Sequence, residues 1–288
     1  MTQLSLVEKK FDAGEVALNY VEGPANGPTL VLIHGLGRRW QILQALITAL
    51  SPAYHIFAPD LRGHGKSGRV ARGYRGVQYS SDISKFLHHV IGEPSIIFGH
   101  SLGGMIGMYI AAHEPALVRA LMVGDSMIDP AHLNSSFYPR LFNSLADLAR
   151  KGGSAEVVAR GLADIELPLP GLDELVRIGD LPGNDGAYLL RWAECVRHAD
   201  PDTYLMSTDG SSLEGWDGES LLKQIRCPTL LLQANPELGG LMSNDDVSRA
   251  VALLAKSKVV RFPTLGHALY IQQAEPVLRA MEEFLRIV

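Results

Sequence analysis

The chain has 288 residues, of which 47% are hydrophobic and 20% are charged. This length supports one full-sized core with an insertion but is too short for two large independent domains. The 26 Lys and Arg against 31 Asp and Glu give a formal net charge of −5, and neither sign is concentrated in a long run. We therefore expect neither nucleic acid nor a membrane surface as a partner.

The apolar stretches and the cysteines indicate which further classes of protein are not expected. The longest apolar runs fall far short of the roughly 18 to 20 residues that span a bilayer. The N-terminal stretch MTQLSLVEKKFDAGE has acidic residues where a secretion signal would be apolar, so a cytoplasmic protein is expected. Cys195 and Cys227 are too few for a disulfide framework and lack the spacing of a zinc site, so two buried thiols and no metal are expected.

Short runs rich in Val, Ile and Leu alternate with longer segments of helical periodicity along the chain. This pattern predicts an α/β protein with a mostly parallel sheet covered by helices. An opening hairpin is predicted over residues 4–11 and 16–21, with its turn at 12–15. Four buried strands are predicted next, at 29–34, 54–59, 95–100 and 120–124. Helices are predicted between them, at 40–50, 80–91 and 102–113.

The alternation breaks between residues 128 and 217. Strand-like runs are missing there, and the sequence ELPLPG at 166–171 predicts a loop. Helices are predicted inside this segment at 138–150 and 188–198. The alternation then resumes, with strands predicted at 229–234 and 258–262 and helices at 244–255 and 276–287. We therefore predict one α/β core, residues 1–127 and 218–288, interrupted by a helical cap over 128–217.

The pattern G-x-S-x-G occurs at residues 99–103, after a predicted buried strand and before a predicted helix. In this context a sharp strand-to-helix turn exposes the Ser101 side chain and requires glycine on both sides, where a Cβ would clash. Ser101 is therefore the candidate nucleophile. The helix start also places the backbone N–H of Leu102 beside a developing oxyanion, as one donor of an oxyanion hole.

A second glycine-containing turn, HGLG at residues 34–37, follows the buried run TLVLI. Such a turn lets a backbone N–H point into the same site as the nucleophile, and Leu36 is the best-placed residue to supply this second oxyanion donor. An ordinary strand-to-helix turn is the alternative interpretation. We favour the oxyanion hole because this turn pairs with Ser101.

The candidate nucleophile needs a base, because a serine hydroxyl is a weak nucleophile at its ordinary pKa, and imidazole titrates near neutral pH. Of the ten histidines, only His267 lies at the end of a late predicted strand, in a glycine-containing loop. His267 is therefore the candidate general base. His100 is adjacent to Ser101, but in an extended strand its side chain is expected on the opposite side.

Four motifs follow one another along the chain: HGLGRRW, DLRGHGKSG, GHSLGG and GHALYIQQAEP. Their order, over essentially the whole chain, resembles the α/β-hydrolase superfamily with a helical cap. The resemblance implies an eight-stranded, mostly parallel sheet and a triad of Ser, acid and His. It also implies catalysis without a metal or an organic cofactor.

The acid of the implied triad departs from the commonest family pattern. Most relatives place an Asp just after the strand that follows the cap, whereas this chain has Asn235, which cannot carry the charge that stabilises an imidazolium. Two carboxylates remain. Asp125 ends the strand predicted at 120–124, where a minority of relatives have their acid, and Glu237 lies in the usual loop. We favour Asp125 and keep Glu237 as the alternative; a strand-end Asp without a catalytic role is the competing interpretation.

Ser101 favours acyl transfer to water, because relatives that act on carbon–halogen bonds or epoxides use a carboxylate as the nucleophile. We expect a hydrolase of the carboxylesterase or lactonase type that cleaves a small-molecule ester or lactone through an acyl-enzyme. Carbon–carbon hydrolysis of a diketone is one alternative. A receptor-like protein that binds a ligand with little turnover is another. A monomer or a homodimer is expected.

The predicted cap is expected to roof the site and to supply apolar walls. Candidate lining residues are Met127, Phe137, Tyr138, Leu169 and Trp192. No Arg or Lys stands out as an anchor for a substrate carboxylate, so a neutral, moderately hydrophobic substrate is expected. A G-x-G-x-x-G pattern at 63–68 leads into a loop rich in Gly and Arg instead of a helix, which argues against a dinucleotide site.

Overall fold

The fold is built on one eight-stranded sheet. The computed structural model describes residues 5–129, 137–169, 174–181 and 183–288. Within these ranges the sheet order is β1-β2-β4-β3-β5-β6-β9-β10. Strands β1 and β2 form an antiparallel hairpin, β2 is antiparallel to β4, and every other pair is parallel. The strands are β1 Val7–Asp12, β2 Ala17–Glu22, β3 Thr29–Ile33, β4 His55–Pro59, β5 Ser95–His100, β6 Val118–Gly124, β9 Thr229–Ala234 and β10 Ser257–Phe262. This confirms the predicted mostly parallel sheet.

Helices cover both faces of the sheet and fill the segment between β6 and β9. The α-helices are α1 Gln44–Leu50, α2 Gly76–Phe86, α3 Leu102–His113, α4 Tyr138–Lys151, α5 Ala155–Ala163, α6 Gly186–Arg197, α7 Pro201–Thr208, α8 Gly218–Gln224, α9 Asn244–Leu253 and α10 Ala274–Leu285. Short 3₁₀ turns lie at Trp40–Leu43, Pro115–Leu117, Ile178–Asp180, Ser211–Leu213, Pro236–Leu238 and Leu269–Ile271, and a π-helical turn extends α2 over Leu87–Ile91. Among the described residues, no helix is both long and apolar enough to span a membrane.

The central strands could be predicted from the sequence because they are buried on both faces. Every residue of β3, β5 and β9 is buried, because helices pack on both faces of these strands. Such strands are near-continuous apolar runs, whereas β1 at the edge is almost entirely exposed. Two apolar cores result, one on each face of the sheet.

Two local predictions are wrong. Helix α2 begins at Gly76 instead of residue 80, because its first turn is capped through the Gln78 side chain, which accepts a hydrogen bond from the Arg75 N–H at 3.1 Å. The loop predicted at 166–171 contains a short strand, β7 Glu166–Leu167, which pairs with β8 Val176–Arg177. Residues 170 and 171 lie outside the described residues.

The described part of the segment between β6 and β9 is otherwise mostly helical, as predicted, and it contributes α4 to α8. Helix α4 packs against α7, and α5 packs against α6, while α8 packs against α3 of the core. Helix α8 begins at Gly218, the first residue of the predicted second part of the core. Residues 130–136 of the insertion lie outside the described residues. The division into core and cap stays a prediction.

Sheet topology determines where a site can form. From β3 the chain passes to β4 on one side, then crosses back to β5 on the other side. The loops that follow β3 and β5 therefore leave the sheet in opposite directions and open a crevice at the carboxyl ends of the strands. Both candidate oxyanion donors and the candidate nucleophile follow these two strands directly.

Candidate active site

Ser101 lies in a strained turn between β5 and α3. Its φ of 54° and ψ of −119° are unfavourable for a residue with a Cβ and cost roughly 1–3 kcal/mol. The turn is tight enough that a Cβ at Gly99 would lie 2.1 Å from the Gly103 carbonyl oxygen, and a Cβ at Gly103 would lie 2.3 Å from the Ile33 oxygen. Ser126 Oγ donates a hydrogen bond to the Ser101 carbonyl at 2.6 Å and supports the turn. These contacts explain the glycines of the motif and present Ser101 to a cavity.

Leu36 and Leu102 line the same cavity. Leu102 is the first residue of α3, whose N–H has no partner within the helix. Among the described residues, no acceptor lies within hydrogen-bond distance of either N–H. Two uncompensated donors beside one serine can stabilise a negative oxygen.

Two buried histidines hold the loop that carries Leu36. His34 Nδ1–H donates to the Gly35 carbonyl at 2.8 Å, and its Nε2 accepts the Leu61 N–H at 3.0 Å. His64 Nε2 accepts the Gly37 N–H at 2.9 Å. Burial lowers the pKa of His34 from 6.5 to about 4. Burial and the neighbouring His34 lower the pKa of His64 to about 3, so both rings are neutral acceptors at pH 7. Sequence reasoning missed these roles, although both histidines occur in motifs that it singled out.

His267 and Asp125 are joined directly. His267 Nδ1–H donates to Asp125 Oδ2 at 2.7 Å, and Asp125 is fully buried. The Asp125 carboxylate also accepts the backbone N–H groups of Ala234 at 3.1 Å, Leu241 at 2.8 Å and Met242 at 3.4 Å. The backbone therefore fixes the carboxylate, and the carboxylate orients the imidazole, which lines the cavity together with Ser101.

The alternative acid, Glu237, is placed differently. It is exposed on the 3₁₀ turn after β9, and its backbone N–H donates to Asn235 Oδ1 at 2.9 Å. Asn235 Nδ2 donates to the Pro263 carbonyl at 2.8 Å, so this side chain is used to shape the loop. Of the two predicted candidates, the structure brings Asp125 to His267 and leaves Glu237 at the surface.

His100 faces the site, contrary to the expectation that it points to the opposite side of β5. Its Nε2–H donates to the His267 carbonyl at 2.8 Å, and the two rings lie 4.8 Å apart. Burial, followed by the nearby His267, lowers the pKa of His100 well below 6.5. A neutral His100 therefore braces the loop of His267. The side chain turns toward the site because the strand ends here, at the sharp bend of Ser101.

The cavity lies between the core and the inserted helices, and it encloses about 100 Å³. Core loops supply Ser101, Leu36 and His267, while α4 and α6 supply mostly apolar side chains from the other side. Of the predicted lining residues, Met127, Tyr138 and Trp192 line it, whereas Phe137 and Leu169 lie outside its lining. Arg38 also lines the cavity, and sequence reasoning missed it.

Residues 30–280 match the sequence model of a family described as "Alpha/beta hydrolase family". The chain belongs to the alpha/beta hydrolase family. This finding and the sheet confirm the resemblance that the motifs suggested.

Two curated relatives match part of this alpha/beta hydrolase. It is 39% identical over 94 residues to the "Magnesium-chelatase 30 kDa subunit" of Rhodobacter capsulatus, covering 32% of this chain and 33% of that one. It is 31% identical over 119 residues to the "2-(acetamidomethylene)succinate hydrolase" of Mesorhizobium japonicum, covering 41% and 42%. The matched part spans less than half the length of either relative.

A solved structure is similar over nearly the whole hydrolase. The enol-lactonase from Burkholderia xenovorans LB400 superposes with a TM-score of 0.74 at 18% identity, covering 96% of this chain and 100% of that one. At this identity the likeness shows the fold alone.

The other sequence signals in this alpha/beta hydrolase have structural explanations. The G-x-G-x-x-G segment forms a turn in which the Gly63 N–H donates to the Gly68 carbonyl at 2.8 Å, and the next helix begins only at Gly76. Cys195 is buried, and Cys227 is partly buried. Within the described part of the chain, no group of three His, Cys, Asp or Glu side chains is arranged to hold a metal ion.

Proposed function

We propose that this protein is a serine hydrolase that cleaves an ester or lactone of a small, moderately hydrophobic substrate. Ser101 is the nucleophile, His267 the general base and Asp125 the acid that orients it. The backbone N–H groups of Leu36 and Leu102 form the oxyanion hole. Family membership supports hydrolysis in general, and the site supports this particular mechanism.

One observation carries the proposal: the buried Asp125 carboxylate bonds His267 at 2.7 Å, and that imidazole shares a cavity with the strained Ser101. A carboxylate at Nδ1 selects the tautomer whose Nε2 accepts a proton and stabilises the imidazolium that results. A hydrogen-bonded Asp and His without a catalytic role would not require a nucleophilic hydroxyl on a strained turn in the same cavity. The arrangement therefore supports a base and a nucleophile that act as a unit.

The proposed reaction has two halves. His267 Nε2 takes the proton of Ser101 as Oγ attacks the carbonyl carbon, and the N–H groups of Leu36 and Leu102 stabilise the oxyanion. Collapse of this intermediate breaks the bond to the leaving oxygen, which receives the proton from His267. Water then attacks the acyl-enzyme with His267 as base again, and this step releases the acid and restores Ser101.

The cavity supports the substrate class. Its volume of about 100 Å³ is on the scale of the roughly 150 Å³ engineered cavity that holds a benzene-sized group, which favours a small acyl portion. Most of its lining is apolar, including Leu141, Phe142 and Leu145 of α4. We propose that the inserted helices act as a cap that limits the access of water to the bound substrate until the acyl-enzyme has formed.

The receptor alternative rests on Asn235, which replaces the usual acid. In this chain Asp125 provides a carboxylate for His267, so the presence of Asn235 gives little support to a loss of activity. The diketone alternative uses the same residues and differs only in the bond that breaks. No observation on the described residues favours either alternative over ester or lactone hydrolysis.

The test is hydrolysis of p-nitrophenyl acetate and butyrate by wild type and Ser101→Ala. We expect Ser101→Ala to lose roughly 10³-fold or more of kcat, because the covalent route disappears. Ser248→Ala is the matched control, since Ser248 is exposed on α9 and bonds only the Asn244 carbonyl at 2.9 Å. Equal turnover by wild type and Ser101→Ala would contradict the proposal. If the wild type hydrolysed diketones but neither esters nor lactones, the result would favour carbon–carbon hydrolysis as the function.

A further inference from the structure

Arg38 lies in the cavity of the candidate active site, and no carboxylate of the described residues forms an ion pair or a hydrogen bond with it. It follows the candidate oxyanion donor Leu36 by two residues and lines the same cavity as Ser101 and His267. The Arg38 backbone N–H donates to the Gly35 carbonyl at 3.2 Å, so the residue belongs to the turn of the oxyanion loop. The loop therefore directs a cation into the region where a substrate would bind.

The guanidinium is held from one side by helix α6. Its central carbon lies 4.4 Å from the centre of the Trp192 ring, and its Nη2 donates to the Tyr188 hydroxyl at 3.4 Å. Tyr188 and Trp192 are one helical turn apart, so they present one surface to the guanidinium. This surface fixes the orientation of Arg38 but carries no negative charge. The Nη1 atom is buried and has no acceptor among the described residues.

No carboxylate compensates the charge. The described lining of the cavity contains no Asp or Glu, and Arg38 is its one permanently charged side chain. The neighbouring Arg39 differs, since its guanidinium lies 3.7 Å from the Glu194 carboxylate. Arg38 is partly buried, and its Nη1 atom is fully buried. Arginine stays protonated in proteins, and burying part of this cation without a carboxylate partner is unfavourable. The Trp192 ring offsets part of this cost through its contact with the cation, and a ligand carboxylate would offset more.

We propose that Arg38 binds a carboxylate of the substrate, so that the natural substrate is an ester or lactone with a free carboxylate and an otherwise apolar acyl portion. This inference rests on the proposed function and adds the substrate's charge to it. It departs from the neutral substrate expected from the sequence, because sequence spacing did not show that Arg38 faces the cavity. The planar guanidinium offers two parallel N–H donors that match the geometry of a carboxylate, which a lysine ammonium does not.

The test compares two esters that differ only in charge. p-Nitrophenyl pentanoate is neutral, and mono-p-nitrophenyl glutarate replaces its terminal methyl group with a carboxylate. The half-esters of succinate and adipate vary the reach toward Arg38. We expect Arg38→Met to lower kcat/KM for the best half-ester roughly 10- to 100-fold relative to the neutral ester, mainly through KM. Arg38→Lys keeps the charge but loses the bidentate geometry, so an intermediate loss is expected.

Arg39→Met is the matched control, because Arg39 is adjacent and lies outside the cavity lining. It should leave the ratio of the two kcat/KM values unchanged. A ratio in Arg38→Met equal to that of wild type, for all three half-esters, would overturn the proposal. Circular dichroism melting of each variant separates a folding defect from a binding defect, and Arg38→Lys provides the readout if Arg38→Met does not fold.

A binding measurement separates this inference from the proposed function. Isothermal titration calorimetry of monomethyl glutarate with Ser101→Ala measures the Kd of a carboxylate ligand without turnover, and so the contribution of Arg38 to binding. We expect the Kd to weaken roughly 10- to 100-fold when Arg38→Met is added, and to change little with Arg39→Met. Identical Kd values with and without Arg38 would refute the anchor even if the enzyme hydrolyses esters. A Kd that depends on Arg38, without any Ser101-dependent turnover, would support the anchor and refute the hydrolase.

Discussion

His64 Nε2 accepts a hydrogen bond from the Gly37 backbone N–H at 2.9 Å and so ties the loop after β4 to the loop after β3. His64 Nδ1–H donates to the Arg62 carbonyl at 2.8 Å, which fixes the tautomer with an acceptor at Nε2. Gly37 has a φ of 67° and directly follows Leu36. The ring of His64 therefore positions a backbone donor that lies outside its own loop.

Replacing His64 with Ala should reduce turnover, although this side chain does not contact the reacting atoms. It acts by positioning the loop that carries Leu36. Without the acceptor, the Gly37 N–H loses its partner and the Leu36 N–H loses its fixed direction. We expect kcat for p-nitrophenyl butyrate to fall about 10-fold, less than the roughly 10²- to 10³-fold for loss of an entire oxyanion donor. His64→Gln offers another acceptor and should recover part of kcat. His113→Ala, at the exposed end of α3, is the control, and a His64→Ala enzyme as fast as this control would contradict the role.

The buried histidines predict how stability depends on pH. The pKa values of His34 and His64 in the folded protein, about 4 and about 3, lie below 6.5 because burial disfavours the charged ring. Below pH 6.5 the unfolded chain therefore binds more protons than the folded one. The stability from neutral rings is fully present above pH 6.5 and is lost as the pH falls toward the folded pKa values. The expected slope is up to about 1.4 kcal/mol per pH unit for each ring.

Urea unfolding at pH 7, 6 and 5 measures this slope before most carboxylates titrate. His64→Gln should make the free energy of unfolding less dependent on pH between pH 6 and 5, because it removes one titrating ring. The substitution of an exposed ring, His113→Ala, should leave the slope as in wild type. A free energy of unfolding that stays constant from pH 7 to pH 5 would refute neutral, buried rings at His34 and His64.

Residues whose role follows from chain-local geometry could be predicted from the sequence. Ser101 and Leu102 are placed by one strand, one turn and one helix, and the glycine spacing reports that geometry directly. The central strands could also be predicted, since burial on both faces requires a continuous apolar run. For His267, a late glycine-containing loop was enough to predict its place beside a cavity, although its role stays a prediction.

Residues whose role depends on contacts between distant segments could not be predicted in the same way. Arg38 faces the cavity because Trp192 and Tyr188, about 150 residues later, stack and bond its guanidinium. The choice between Asp125 and Glu237 depends on the backbone near residue 241, which turns its N–H groups toward Asp125. Neither set of contacts can be predicted from the local sequence pattern, because both depend on how the insertion and the loops pack.

The carboxylate that supports His267 gives a paired prediction. Asp125→Asn keeps the size of the side chain but removes the charge that stabilises the imidazolium, so kcat should fall roughly 10³- to 10⁴-fold. Glu237→Gln should retain nearly full activity, because Glu237 is exposed and bonds within its own turn. Steady-state hydrolysis of p-nitrophenyl butyrate by both variants measures the difference. A large loss in Glu237→Gln with little loss in Asp125→Asn would reverse the assignment.

The close approach of α3 to β3 makes Gly103 a position where a single added methyl group should be poorly tolerated. A Cβ there would lie 2.3 Å from the Ile33 carbonyl oxygen and 2.8 Å from the His34 oxygen. Both are backbone atoms of buried residues, at the end of β3 and in the residue after it, so neither can yield without moving that strand end or the start of α3. We expect Gly103→Ala to cost about 3 kcal/mol or more of unfolding free energy.

Gly186→Ala is the matched control, because Gly186 also lies in the first turn of a helix but a Cβ there meets open space. Its expected effect is a gain of about 0.4–1 kcal/mol, from the smaller entropy of the unfolded chain. Urea unfolding measures both variants. Residual activity of folded Gly103→Ala should also fall, since a displaced α3 moves the Leu102 N–H away from Ser101. Equal stabilities of Gly103→Ala and Gly186→Ala would show that α3 and β3 do not pack this closely.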